Sequence, residues 1–148
     1  MPFLFPLQSI LHLYQSLEHQ QELRLRAANQ QVARVRHLIE QLNLRKQQNK
    51  LQQSRELQVG TTGAELEFER SMESALLSHR GELESELVRM QQLRDEQQRL
   101  FRHARRRRET LDTLREQKLL EYEREASRRE QRQADDSFLL RRRVFPGG

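Results

Sequence analysis

The chain has 148 residues, of which 34% are hydrophobic and 33% charged, and its formal net charge is +5. A globular domain usually has nearly half of its residues apolar, so this composition excludes a broad core and favours a narrow seam between helices. The absence of cysteine excludes a disulfide framework and a thiolate zinc site, and no apolar run reaches the ~18 residues of a membrane span.

The first predicted element is a long helix over about residues 7–58. Pro6 suits the first turn of this helix, where its missing N–H is not needed, and Phe3 and Phe5 are expected to fold onto that turn. Polar residues interrupt its heptad frame at Glu18 and Gln21, which indicates either a functional or register role or a helix that frays. The frame has the spacing of a coiled-coil seam and consists of Leu7, Leu11, Tyr14, Glu18, Gln21, Leu25, Ala28, Val32, Val35, Ile39, Leu42, Lys46 and Asn49.

A turn is predicted over about residues 59–63, because Gly60-Thr-Thr-Gly63 can end one helix and reverse the chain. A second helix follows over about residues 64–140, and a short basic tail over 141–148. Folding at the turn places the apolar runs of the two helices side by side, with Ile39 opposite Leu83. The frame of the second helix is Leu66, Glu69, Glu73, Leu76, Arg80, Leu83, Leu87, Met90, Arg94, Gln97, Phe101, Ala104, Arg108 and Leu111.

These elements predict an all-α fold, a single coiled-coil domain in which two long helices form an antiparallel hairpin. Beyond about residue 116 the second helix has no partner within the hairpin. An unpaired helix gains little stability from its own propensity, so its apolar residues indicate a binding surface or an oligomer contact rather than fraying. These apolar residues are Leu119, Leu120, Tyr122, Ala126, Phe138, Leu139 and Leu140.

No pattern of catalytic residues is present, and we expect no enzyme activity, no cofactor and no metal. None of the five histidines lies in a His-Glu-x-x-His zinc arrangement. The Gly-Thr-Thr-Gly turn lacks both the Lys-Ser/Thr ending and the preceding strand of a phosphate-binding loop.

The run Arg105–Arg108 leaves a nucleic-acid-binding coiled coil open as an alternative, because clustered arginines displace counterions from phosphates. Four consecutive residues, however, surround a helix and form no single basic face. Glu109, Asp112 and Glu116 also follow within the spacing of helical ion pairs. We therefore expect no specific nucleic-acid binding.

A stripe of apolar and aromatic character follows the turn. Phe68, Met72, Ala75 and His79 are spaced by four, three and four residues, which places them on one side of the second helix. The stripe is offset from the seam, so it is either an outward docking site or part of a seam that drifts onto the first helix.

Three stretches together resemble the FliJ family of the bacterial flagellar export apparatus. The opening from Phe3 and Phe5 to Leu13 resembles the family's aromatic N-terminus. The run from Phe68 to Arg80 resembles a stripe that the family has after its turn, with Met72 in place of leucine. The C-terminal Glu130-Gln-Arg-Gln-Ala-Asp-Asp136 resembles a Gln-Lys-x-x-Asp-Glu signature, which favours a flagellar protein over the stalk proteins of virulence-type III secretion.

The resemblance implies an antiparallel coil similar to the stalk subunit of rotary ATPases. Its partners would be the hexameric flagellar export ATPase, which it stimulates, the export-gate membrane protein and the export chaperones. The protein would be cytoplasmic, peripheral on the cytoplasmic face of the cell membrane. The implied gate-binding residues are Phe68, Met72, Ala75 and His79, and the implied ATPase-binding residues are Leu119, Tyr122, Ala126, Gln131, Asp135 and Asp136.

The chain departs from the family's pattern at one place, and one further interpretation stays open. The aromatic residues that the family's gate contact would place near Gln41 and Arg45 are missing. A homodimeric scaffold with no role in export is a further alternative, since coiled coils of many functions share this composition.

Overall fold

The structure, a computed structural model, describes residues 2–144, so residues 145–148 of the predicted basic tail lie outside the described residues. Over the described range it contains two helices, α1 (Gln8–Val59) and α2 (Gly63–Val144), and no strand. The two helices pack against each other, which confirms the all-α helical hairpin. Helix α2 continues through Arg141–Arg143, which the sequence assigned to a tail.

The chain divides into two compact units, which are described separately. One unit combines Met1–Glu18 with His103–Gly148, and we call it the terminal unit. The other consists of His19–Arg102 and contains the turn, and we call it the turn unit.

The turn is built from a glycine stop and a capping box. Gly60 has a φ of 98°, and its N–H donates to the Glu56 carbonyl at 2.8 Å, so α1 ends in a left-handed residue that closes its last turn. Thr62 then caps α2, because its hydroxyl accepts from the Glu65 N–H at 3.3 Å and the Glu65 carboxylate accepts from the Thr62 N–H at 3.4 Å. Gly63 has no positive φ and is simply the first residue of α2.

The heptad frames read from the sequence form the seam. Every frame position of α1 from Leu7 to Asn49, and every frame position of α2 from Leu66 to Leu111, is buried or half-buried. Helix α1 is continuous through Glu18 and Gln21, so the interpretation that it frays there is wrong. The buried hydrophobic side chains among the described residues are few, namely Phe5, Leu11, Val32, Val35, Leu42 and Leu83.

The N-terminal segment corrects two expectations. The Phe3 ring lies on Tyr122 of α2, with ring centroids 5.6 Å apart, and so it does not fold onto the first turn of α1 alone. The Arg115 guanidinium lies 5.9 Å from the centroid of the same ring. The segment before α1 therefore contacts α2 at Tyr122. The prediction that α2 has no partner in the hairpin beyond about residue 116 is wrong at Tyr122, whereas residues 127–143 are exposed as that prediction expects.

Candidate partner-binding surfaces

An ion-pair network holds the two helices together inside the terminal unit. The Arg108 guanidinium donates two hydrogen bonds to the Glu18 carboxylate and one, at 2.6 Å, to Asp112. Both Glu18 and Arg108 are largely covered, with side chains 18% and 23% exposed. The hydrogen bonds from Glu18 and then from Asp112 raise the pKa of Arg108 above its ordinary value. This network fills the polar interruption that the sequence showed at Glu18.

Two of the three remaining arginines of the run also make contacts within the terminal unit. Arg105 donates to Glu109 at 3.0 Å, and the Arg107 guanidinium lies 5.9 Å from the centre of the Tyr14 ring. Three of the four arginines thus contact groups of this chain and point in different directions. The geometry gives no support to a continuous phosphate-binding face, and the absence of specific nucleic-acid binding stays a prediction.

The six residues proposed to bind an ATPase fall into two groups in the terminal unit. Leu119, Tyr122 and Ala126 are half-buried, on the side of α2 that carries the Phe3 contact. Gln131, Asp135 and Asp136 are exposed, and so is every residue from 127 to 143. Every residue from 127 to 143 is thus accessible, whereas between residues 117 and 126 exposed side chains such as Leu120 alternate with these three half-buried ones.

A second apolar stripe in the terminal unit was not singled out from the sequence. Ile10, Leu13 and Leu17 are exposed on α1, at spacings of three and four residues beside the seam positions Leu11 and Tyr14. The spacing that identifies them was visible in the sequence, but the stronger seam frame lies next to it.

In the turn unit the stripe after the turn lies beside the seam and is exposed. Phe68 and Met72 are 67% and 39% exposed, and Ala75 and His79 are exposed as well. His79 Nδ1 lies 3.9 Å from the Glu82 carboxylate one turn further along α2. The interpretation that these residues pack on α1 is wrong, and the four form one accessible surface on one helix.

Beside this stripe lies a groove between the end of α1 and the start of α2, with a volume of about 870 Å³. Its apolar lining includes Phe68 and Met72, and four glutamates surround them. The sequence did not predict this groove, because it depends on how the helices separate next to the turn. We call it the turn groove, and it is lined by Asn49, Gln52, Gln53, Arg55, Glu56, Val59, Gly60, Thr61, Ala64, Glu65, Phe68, Glu69, Met72 and Glu73.

Over residues 2–144, no group of three or more histidine, cysteine, aspartate or glutamate side chains is arranged to hold a metal ion. Neither helix has a stretch in that range that is long and apolar enough to cross a membrane.

The comparison with known protein families is decisive for the identity of the chain. The family model described as "Flagellar FliJ protein" matches residues 3–144, nearly the whole chain. No curated protein and no solved structure matches the chain. The match covers the aromatic N-terminus, the capped turn and all of the described part of α2. The chain therefore belongs to the flagellar FliJ protein family, and through that family it is a component of flagellar type III protein export.

Proposed function

We propose that this protein is a non-enzymatic stalk and adaptor, which stimulates the hexameric export ATPase and couples it to the membrane export gate. Its family supports the role, and the accessible stripe Phe68, Met72, Ala75 and His79 is the observation that carries the gate contact. In this proposal the protein also cycles export chaperones, and it works on the cytoplasmic face of the cell membrane as a peripheral component.

The stimulation of the ATPase would be mechanical and allosteric. The two helices present different residues on each side, with Gln131, Asp135 and Asp136 on an exposed segment of α2 alone. Such a hairpin cannot make the same contacts with six identical subunits. Unequal contacts favour one conformation in some subunits over others, and a partner that binds conformations differently shifts their populations.

The gate contact is tested by the double variant Phe68→Ala with His79→Ala. We expect weaker capture of the cytoplasmic part of the gate protein and reduced motility, since two exposed side chains are removed from the stripe. Circular dichroism should show unchanged helix content, because neither side chain is buried.

Leu77→Ala is the matched control for this variant, because Leu77 is exposed on the same helix but lies off the stripe. The control should capture the gate protein as well as the natural chain does. Equal capture by the stripe variant and the control would overturn the gate contact, and a loss of helix would show that the stripe stabilises the fold.

The ATPase contact is tested by ending the chain after Ala126. This truncation keeps the contact between Phe3 and Tyr122, so the terminal unit should keep its helical packing. We expect the truncated chain to lose stimulation of the purified export ATPase, because it lacks the exposed segment of α2. Undiminished stimulation would overturn the role of residues 127–143.

A finer variant separates the named carboxylates from the rest of the segment. Replacing Asp135 and Asp136 by asparagine should reduce stimulation, whereas replacing Glu123 and Glu125 by glutamine should not. Both pairs remove two exposed carboxylates from α2, so a difference between them depends on position and not on net charge.

A further inference from the structure

The turn groove combines an apolar surface with unneutralised negative charge. Phe68 and Met72 are one turn apart on α2, and Val59 is exposed at the end of α1. Four carboxylates line the same groove, those of Glu56, Glu65, Glu69 and Glu73, against one guanidinium, that of Arg55.

The charges of the groove are not balanced within the chain. Among the described residues, none of these four carboxylates takes part in an ion pair, although eleven pairs of a lysine or arginine with a carboxylate join other residues. Glu56 of α1 and Glu69 of α2 both line the groove, and hydrogen bonding with Glu56 raises the pKa of Glu69. Desolvation and the charges of Glu56 and Glu65 act in the same direction, and a hydrogen bond from Gln53 opposes them. A positive charge placed between Glu56 and Glu69 would relieve this repulsion.

We propose that the turn groove binds a basic amphipathic helix of a partner protein. The apolar side of that helix would cover Phe68 and Met72, and its lysine or arginine side chains would lie between Glu56 and Glu69. A helix fits because both walls are helices with satisfied backbones, which leaves a groove and no strand edge for the partner. The inference rests on the proposed gate contact, since Phe68 and Met72 belong to both surfaces, and it adds the chemical class of the segment that is bound.

The chemistry of the groove argues against other occupants. A metal ion would need three or more ligands brought together, and the described residues hold no such cluster. An acidic or phosphorylated segment would meet four carboxylates of its own sign. The end of α2 in a second copy also has apolar and basic residues, Phe138 and Leu139 before Arg141–Arg143. The experiment below distinguishes a second copy from a partner protein.

The experiment uses the full chain and two designed peptides of about 18 residues, roughly five helical turns. One peptide carries leucine on one side and lysine on the other, and its counterpart has glutamate in place of every lysine. We expect the lysine peptide to bind in a salt-sensitive manner and the glutamate peptide not to bind, because exposed charge pairs are screened by salt.

The groove variant is Glu56→Gln with Glu69→Gln, and the control is Glu82→Gln with Glu86→Gln, which removes the same charge outside the groove. The groove variant should bind the lysine peptide about twofold to thirtyfold more weakly, the range expected for two solvent-exposed ion pairs. The control should bind as the natural chain does. Equal binding of the two peptides, or equal losses in the two variants, would overturn the inference.

Two further readouts complete the test. If the chain self-associates, and if both the groove variant and the replacement of Arg141–Arg143 by glutamine abolish this, the occupant is a second copy and the partner helix is wrong. His79 does not line the groove, so His79→Ala tests the stripe alone. If the natural chain binds both peptides equally and the stripe variant still captures the gate protein less well than the Leu77→Ala control, only the groove inference is overturned. If the natural chain prefers the lysine peptide but the stripe variant captures the gate protein as well as the control does, only the proposed gate contact is overturned.

Discussion

Glu18 and Arg108 lie 90 residues apart in the chain, and the carboxylate of the first accepts two hydrogen bonds from the guanidinium of the second. Each occupies a seam position of its helix, where an apolar residue would leave the register of the two helices less defined. A bidentate arginine–carboxylate pair has a fixed geometry, so it specifies which turn of α1 faces which turn of α2. Arg115 adds a second constraint two turns further along, because it donates to the Gln8 side chain at 3.1 Å.

Glu18→Ala should lower the free energy of unfolding by about 1–3 kcal/mol, since it removes the partner across the seam and leaves the half-buried Arg108 guanidinium with carboxylates of its own helix alone. The measurement is urea unfolding followed by circular dichroism. Arg105→Ala is the control, because its pair with Glu109 is on the surface and should contribute about 0–1 kcal/mol. A loss for Glu18→Ala no larger than that of the control would contradict the role of the pair in the register.

Leu83→Ala should lower the free energy of unfolding by about 2–5 kcal/mol, because Leu83 is 6% exposed and its removal leaves a cavity in a narrow seam. Phe68→Ala removes a larger side chain, yet it should change stability by no more than about 0.5 kcal/mol, since Phe68 lies on the surface. The same unfolding experiment measures both variants. A Phe68→Ala loss as large as that of Leu83→Ala would mean that Phe68 packs against α1.

Phe5→Ala should speed hydrogen exchange in α2 between residues 115 and 126. Phe5 is 8% exposed and anchors the N-terminal segment, which carries Phe3 to its contact with Tyr122. Without the Phe5 side chain the N-terminal segment should detach from α2 and expose Tyr122, so local opening of the helix then costs less free energy. Leu4→Ala is the control, because Leu4 is exposed, and unchanged exchange in both variants would contradict this role of Phe5.

Glu69→Gln should stabilise the turn unit at neutral pH and much less in acid. The hydrogen bond with Glu56 raises the pKa of Glu69 above its reference value of 4.5, so the folded chain favours the protonated carboxyl group. The stability that this proton provides is fully present below the unfolded pKa and is lost as pH rises through the folded pKa. Unfolding at about pH 7 and about pH 4 should therefore show a difference between variant and natural chain that narrows in acid. Glu67→Gln, on the exposed side of the same helix, is the control, and an equal pH dependence in both would refute the pairing of Glu56 with Glu69.

The seam could be predicted from the sequence because helical periodicity determines which residues face a partner helix. Leu11, Val32 and Leu42 are buried where the frame placed them, and Glu18 meets Arg108 at a position where the frame is polar in both helices. The outward stripe could be identified as well, since Phe68 and His79 follow the same helical period at a different angle.

Two features could not be predicted from helical periodicity, namely the contact of Phe3 with Tyr122 and the turn groove. Residues 2–5 have no regular secondary structure, and such a segment has no helical period that would indicate what it contacts. The pairing of Glu56 with Glu69 depends on how far the helices separate beside the turn, which composition does not determine. The sequence therefore indicated that Tyr122 is accessible, because it lies beyond the predicted end of helix pairing.

Gly60 has a consequence for the association state of the protein. Its left-handed conformation costs an L-residue about 1–2 kcal/mol, and a chain with alanine there could instead continue as one straight helix. Two such straight chains could exchange their second halves, so that α2 of each covers α1 of the other with the same seam contacts. The hairpin and the exchanged dimer would then differ mainly at the turn. A residue without a side chain at this position thus favours the hairpin over the exchanged dimer, and a substitution by a residue that disfavours positive φ, such as alanine, should move the balance toward the dimer.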